Sequence, residues 1–425
     1  MALDPTNPDR PPLHRPQLHR RDVLRGGAYT AAGLGAASLL AACSGDESNN
    51  AVSGNSGELP YELARPDSPV TQPIKDSNPA IADGLEPETG GIFKILNYAD
   101  YMAPGVMKDF GEQYDVEVEV TPYNNYDQMI AKLQEPGAEY DVVFPGPTVM
   151  SKMVYGEVIQ PLNQSYIPNI ENLWPEYKDP WYDKGAQYSV PYTVYTTGIG
   201  YRADIVTDLP DPGYDLLWDP AYNGKAAILD DYGEAITMSI LRNDLGDVNT
   251  DDQTVVAKAV DSLIELIDLV NIKVSITGYR SIPEGEYTVA QVWSGDMLAA
   301  RWYLPKGESL DVLGYWVPED VSERVIGNDV MAIPKSASKP VLSHLFINNL
   351  LDNDVAERNF NWNGYQPPLT KITVPYAIDR GYIVEGLDLA IVQPEDFQSG
   401  IVQVEQPPSV ESMWRNEWAR FKAGA

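Results

Sequence analysis

Between Gly91 and Pro145 the apolar residues change period four times, and this alternation constrains the fold more than any other feature of the chain. Gly91-Ile92-Phe93-Lys94-Ile95-Leu96-Asn97-Tyr98 opens on a Gly-Gly punctuation and reads as a buried strand. Pro104 to Tyr114 has helical spacing, with Val106, Met107 and Phe110 on one face and Pro104 suited to a first turn. Val116 to Val120 alternates apolar and acidic residues, as a half-buried strand does. Asn125 to Leu133 is helical again, and Tyr140-Asp141-Val142-Val143-Phe144 is a strand stopped by Pro145. The order β-α-β-α-β predicts an α/β protein with a mainly parallel sheet and ligand loops at the strands' carboxyl ends.

A second α/β block starts near Gly198. Ala226 to Leu229, Val289 to Trp293 and Val330 to Pro334 read as strands. Tyr232 to Leu245, Asp252 to Leu269 and Pro340 to Leu351 read as helices, and Ser409 to Lys422 as an amphipathic one. No internal repeat and no coiled-coil heptad is present. At 425 residues the chain suits two lobes rather than one small core.

The 62 acidic and 30 basic residues give a net charge of −32. Nucleic acid is excluded as a partner, because its phosphates need Lys and Arg to displace their counterions. A cationic ligand would be tolerated or attracted, although solubility or adaptation to salt explains such an excess equally well. Cys43 is the single cysteine, so no internal disulfide can form. The histidines are His14, His19 and His344. With His14 and His19 in a segment expected to be removed and Cys43 expected to be lipidated, one His and no free thiol remain, which excludes Cys/His catalysis and thiolate zinc sites and leaves a Ser-His-Asp triad only through His344. His344 lies in the amphipathic stretch Val341 to Phe346 and is read as structural. No enzyme activity, no cofactor and no metal site is expected.

The N-terminus reads as an address. Arg20-Arg21 precedes a mild Ala- and Gly-rich stretch, Gly26 to Ala42, and resembles a Tat export signal. That stretch is short and soft for a spanning helix, which needs about 20 strongly apolar residues. Leu40-Ala41-Ala42-Cys43 resembles the lipobox of bacterial lipoproteins. Residues 1–42 are therefore expected to be a Tat-like lipoprotein signal peptide, with Cys43 lipidated. Residues 43–90 are rich in Ser, Asn, Asp, Gly and Pro and are expected to be a disordered tether.

Several short motifs then match one family in order and spacing. They are Leu96-Asn97-Tyr98-Ala99-Asp100-Tyr101, Asp141-Val142-Val143-Phe144-Pro145, Val190-Pro191-Tyr192 with Thr196 to Tyr201, and Leu229 to Glu234. Val292-Trp293-Ser294-Gly295, Asn328 to Pro334 and Asn363-Gly364-Tyr365-Gln366-Pro367 follow. Over Phe93 to Gly424 the chain resembles the bacterial spermidine/putrescine-binding proteins of ABC transporters. The resemblance implies a two-lobed periplasmic-binding-protein-like fold of type II. Each lobe would be a mainly parallel sheet flanked by helices, with ligand in the cleft between them. Lobe one would comprise 91–196 plus 329–375, and lobe two 197–328 plus 376–425. Closure would be a hinge motion. It further implies a monomer outside the cytoplasm, held by lipid to the outer face of the cell membrane, handing a polyamine to an ABC permease.

Carried over residue by residue, the resemblance puts Asp231, Glu234 and Asp329 at the ligand's ammonium groups. It puts the rings of Tyr98, Tyr101, Trp293 and Tyr365 around its methylenes. The chemistry fits a polyamine, since carboxylates meet ammonium groups with charge-assisted hydrogen bonds and aromatic faces attract cations. From the residues alone Asp231-x-x-Glu234 is equally a capping-box spacing. The chain also departs from the family. Tyr98 stands for a Trp, Gly146-Pro147-Thr148 for a Ser and Tyr pair, and Gly327 for a Trp, with Tyr195, Trp302 and Trp316 as possible replacements. Rival readings are a binding protein for a sugar, an amino acid or iron, and an exported hydrolase using paired carboxylates. An amino-acid site would call on an Arg such as Arg202, Arg280 or Arg301.

Overall fold

The computed structural model describes residues 59–383 and 387–424. Arg20, Arg21 and Cys43 lie outside the described residues. Ten strands among the described residues join into one sheet: β1 (Ile92–Tyr98), β2 (Glu117–Tyr123), β3 (Val142–Val143), β4 (Ile159–Gln160), β5 (Ser189–Arg202), β6 (Ala226–Ile228), β7 (Lys273–Val274), β8 (Val289–Trp293), β9 (Leu313–Trp316) and β10 (Val325–Pro334). The spatial order is β2-β1-β3-β10-β5-β8-β6-β7, with β4 on β10 and β9 on β5. β1 is parallel to β2 and β3, and β6 is parallel to β7 and β8. The two parallel halves are the two α/β blocks of the sequence.

The long strands β5 and β10 run antiparallel through the middle and join the halves. Their ladder skips a register between Asp329 and Val330, where Thr193 and then Pro191 are the partners. Pro191 has no N–H to give the ladder, and a bulge is where a sheet interior tolerates proline. The N–H of Val330 turns instead to the carbonyl of Pro145, at 2.8 Å. The consequence for function is that Asp329 sits at the bulge, where the chain can re-aim its side chain.

Each half buries the face that the apolar spacing marks. Val106 and Phe110 of the helix Pro104–Tyr114 are buried, and Phe110 meets Phe93 and Phe346 with ring centroids 5.6 and 4.8 Å away. In the other half the helix Gln253–Val270 buries Val256, Val260, Leu263 and Leu266 in one cluster with Trp414 and Phe421 of the C-terminal helix Pro408–Lys422. His344 is buried, accepts the N–H of Asn163 at Nε2 and bonds the carbonyl of Pro340 through Nδ1. Both ring nitrogens are thus used structurally.

Three expectations need correction. The strand Val330 to Pro334 begins five residues earlier, because Val325 to Asp329 pair with β5 although Gly327 and Asn328 break the apolar pattern. β3 keeps only Val142 and Val143; Asp141 instead folds back, accepting the N–H groups of Lys94, Ser338 and Lys339. β2 is an edge strand whose Val120 is exposed, with charged Glu117 and Glu119 and Pro122 guarding the edge.

The fourth correction is larger. Residues 59–90 are not a loose tether but a strap packed along the β1 half. Ala64, Val70, Gln72 and Asn78 are buried. Gln72 Nε2 donates to the carbonyl of Tyr182, and Asn78 Nδ2 to that of Ile159. Glu88 accepts the N–H groups of Val341 and Leu342, so it satisfies the open start of the helix Pro340–Leu350. Composition misled here because the strap is held by polar side chains bonding backbone rather than by an apolar period. A chain begun at residue 91 is expected to unfold in urea at a lower midpoint than one begun at 59, with a loss of about 3 kcal/mol or more from cap and burial together. Equal midpoints would show that the strap contributes nothing.

Candidate functional site

The site forms where the carboxyl ends of β1, β6 and β8 meet the central strands, the place an open α/β sheet leaves for ligands. Tyr98 ends β1, Trp293 ends β8, and Asp230 and Asp231 follow β6. Two cavities open there. The larger is about 570 Å³ and is lined in part by Asp231, Tyr232, Glu234, Gly327 and Gln403. The smaller is about 330 Å³ and is lined in part by Asp100, Tyr101, Asp296, Asp329, Tyr303 and Tyr365. Tyr98, Tyr195, Asp230 and Trp293 border both. All seven candidate residues, Tyr98, Tyr101, Asp231, Glu234, Trp293, Asp329 and Tyr365, are thus brought to one cleft.

Asp231 caps the helix Tyr232–Arg242, accepting the N–H of Glu234 at 3.1 Å. Glu234 does not reach back to complete a capping box. Its Oε1 accepts the indole N–H of Trp293 at 3.0 Å, and its buried carboxyl group also has the Thr197 hydroxyl beside it. The spacing therefore serves two ends: Asp231 holds the helix start, and Glu234 is turned into the cleft. Burial, and then the charge of Asp231, pushes the Glu234 carboxyl up to about 7. Burial also raises Asp231 above its ordinary range.

Asp329 is buried and accepts two phenol hydroxyls, Tyr101 at 2.7 Å and Tyr126 at 2.8 Å. Burial pushes its carboxyl up to about 6 against the pull of those two bonds. Tyr101 stands edge-on to Tyr365, ring centroids 4.6 Å apart. Tyr365 donates to Asp296 Oδ1 at 2.7 Å, while Asp296 Oδ2 is buried without a partner. Burial pushes Asp296 up to about 7. A Cβ on Gly295 would collide with the Tyr365 ring, 2.6 Å from Cδ1 and nearer still to Cγ, so the glycine in Trp293-Ser294-Gly295 is what lets that ring lie down beside Asp296.

Sequence reasoning missed Asp296 and Tyr126. Each lies one short step past a strand's carboxyl end, Asp296 after β8 and Tyr126 after β2, and that position was the available signal. Tyr126 also explains a departure: a Cβ at Gly146 would stand 2.8 Å from its Cζ. Gln403, Val404 and Gln406 border the larger cavity as well. Trp302 and Trp316 belong elsewhere. Trp302 donates to the carbonyl of Asn361, and Trp316 packs edge-on against Tyr214. Arg202 is committed to Asp204 and Glu308, and Arg301 to backbone carbonyls of Gly381, Tyr382 and Asn361.

Charge across the cleft is uneven. In the larger cavity Arg415 is paired with Asp127 and Glu411, and Lys422 with Asp230. The smaller cavity is bordered by Asp100, Asp230, Asp296 and Asp329 and by no Lys or Arg. What this arrangement can do is hold positive charge: Glu234, Asp296 and Asp329 are buried and, among the described residues, in no ion pair with Lys or Arg, and they stand among rings that can cover methylenes.

Residues 105–378 match the model of the bacterial extracellular solute-binding protein family. The chain belongs to this family. Such proteins are solute-binding components of transporters, not a class of enzyme. The spermidine/putrescine-binding periplasmic protein of Escherichia coli (strain K12) is 30% identical over 277 residues, which are 64% of this chain and 76% of that one. The putrescine-binding periplasmic protein PotF of the same strain is 24% identical over 349 residues, 78% of this chain and 91% of that one. Among solved structures, the spermidine/putrescine ABC transporter substrate-binding protein PotD from Streptococcus pneumoniae strain Canada MDR_19A superposes with a TM-score of 0.61 at 22% identity. It covers 79% of this chain and 99% of that one. The fold is the two-lobed, type II periplasmic-binding-protein fold.

Proposed function

We propose that this member of the family captures a polyamine of the putrescine or spermidine kind outside the cytoplasm and delivers it to an ABC importer. The observation that carries the reading is the gathering of three buried carboxyl groups, Glu234, Asp296 and Asp329, in an aromatic-walled cleft, with Asp296 Oδ2 left without a hydrogen-bond partner. A buried acceptor without a donor costs about 1–3 kcal/mol, more when it is charged. An ammonium group supplies both the donors and the charge. Relatives named for spermidine and putrescine support the same ligand class. An amino-acid ligand would need an Arg for its carboxylate; Arg202 and Arg301 are engaged elsewhere, and Arg280 borders neither cavity.

The reading divides the chain into lobes of 91–196 plus 329–375 and 197–328 plus 376–425, closing by a hinge in β5 and β10. It includes export by the Arg20-Arg21 signal, a lipid anchor on Cys43, and action as a monomer at the outer face of the cell membrane. Thermal unfolding with putrescine, spermidine, spermine and panels of sugars and amino acids tests it. At a hundredfold excess over Kd the right amine adds about 2.7 kcal/mol to stability, so the midpoint rises with amine and not with the other panels. A rise with a sugar or amino acid and with no amine would overturn the reading.

A further inference from the structure

Positions 195 and 327 face each other as a register pair in the β5–β10 ladder. A Cβ built on Gly327 would stand 2.6 Å from Cζ of Tyr195 and 2.9 Å from its hydroxyl. These are atoms of a buried ring, not the free end of a flexible chain, so they cannot simply move aside. Tyr195 therefore fills, from β5, the space that a side chain on β10 would occupy.

The ring belongs to a circuit of five, made with Trp293 and closed by Tyr98, Tyr101 and Tyr365. Its centroid is 6.3 Å from Trp293 and 6.2 Å from Tyr365, at interplanar angles of 67° and 83°. Tyr98 lies 6.2 Å from Trp293 and, through Tyr101, leads back to Tyr365. Tyr195, Trp293 and Tyr98 are the rings that border both cavities. Each cavity has its own buried carboxyl groups, Glu234 in the larger and Asp296 and Asp329 in the smaller. A linear ligand reaching both would pass these shared rings with its apolar middle and leave a charged end on either side.

We propose that Tyr195 is a specificity-determining residue of the cleft: standing in for a side chain at 327, its ring sets the passage between the two cavities and thereby the chain length of amine that fits. The proposal rests on the polyamine reading and deepens it. A ring carried by β5 projects from the strand opposite to one carried by β10, so the same aromatic surface meets a different stretch of the ligand. Selectivity then follows the span between charged ends rather than the number of charges.

The test uses the full chain and three variants: G327W, Y195G and the two combined. Thermal unfolding without ligand reads the shared space. G327W should lower the midpoint and the double variant should recover most of the loss. Titration with straight-chain diamines of increasing length, spermidine and spermine reads selectivity. Y195G should bind the parent's preferred amine at least tenfold more weakly and rank the amines more flatly, and the double variant should show a sharp but altered ranking. If G327W does not fold, Y195G and the double variant still decide the matter. A G327W as stable as the parent, or a Y195G that keeps the parent's ranking within twofold, overturns the proposal. If the parent binds no amine, the polyamine reading falls and the selectivity role with it, while the unfolding midpoints still report whether the two positions share one space.

Discussion

Glu234→Gln is expected to weaken amine binding by about 2–5 kcal/mol and, in the same protein, to raise ligand-free stability at pH 8 by roughly 1–2 kcal/mol. The two effects share one cause. Burial and the neighbouring Asp231 raise the folded-state carboxyl to about 7, whereas an unfolded Glu titrates near 4.3. The folded protein therefore holds a proton that the unfolded chain has released between those values. The stability tied to that proton is full below the unfolded pKa and is lost as pH rises through about 7. Gln has no proton to lose, so its advantage appears at pH 8 and vanishes near pH 4. Urea unfolding at the two pH values checks the stability half, and titration with the preferred amine checks the binding half. A variant that loses stability at pH 8, or binds as the parent does, would remove Glu234 from the site.

Amine affinity should fall as pH falls below about 7. In the ligand-free protein Glu234 and Asp296 both lie near 7 and Asp329 near 6. An ammonium beside a carboxylate favours its charged form and lowers its pKa, so binding releases protons in the window from about pH 6 to 7. The amine itself stays charged there, since aliphatic amines titrate near 10.4. Between pH 7.5 and 5.5 the loss is on the order of tenfold for each of the two higher carboxylates, about a hundredfold together, spread over coupled steps. Calorimetry in two buffers of different ionisation enthalpy reads the released protons directly. A pH-independent affinity with no proton release would mean that the cleft acids do not meet the charge of the ligand.

What could be read from sequence follows from what each element buries. The helix Pro104–Tyr114 was legible in full because Val106 and Phe110 point into one core. β4 and β7 were not, being two residues each and too short to carry a period. β5 showed only as motif fragments, because all but one of its fourteen residues are buried, so neither face carries a polar stripe. In the site, Asp231 and Glu234 carried two meanings that spacing could not separate, and only the bond from Trp293 to Glu234 tells them apart. Gly327 read as a lost aromatic. The compensation by Tyr195 depends on a cross-strand register that begins before the strand visible in sequence. The strap at 59–90 was illegible because its energy lies in side chain-to-backbone bonds to residues about 80 or more positions away, among them Asn78 to Ile159 and Glu88 to Leu342.

The most direct test is isothermal titration of the ligand-free protein at pH 7.5 with putrescine, spermidine and spermine. Saturable binding of at least one amine at micromolar affinity or better, lost in Glu234→Gln, is the expected result. A folded protein that binds none of them would contradict the assignment of the cleft to polyamines and reopen the choice of ligand within the solute-binding family.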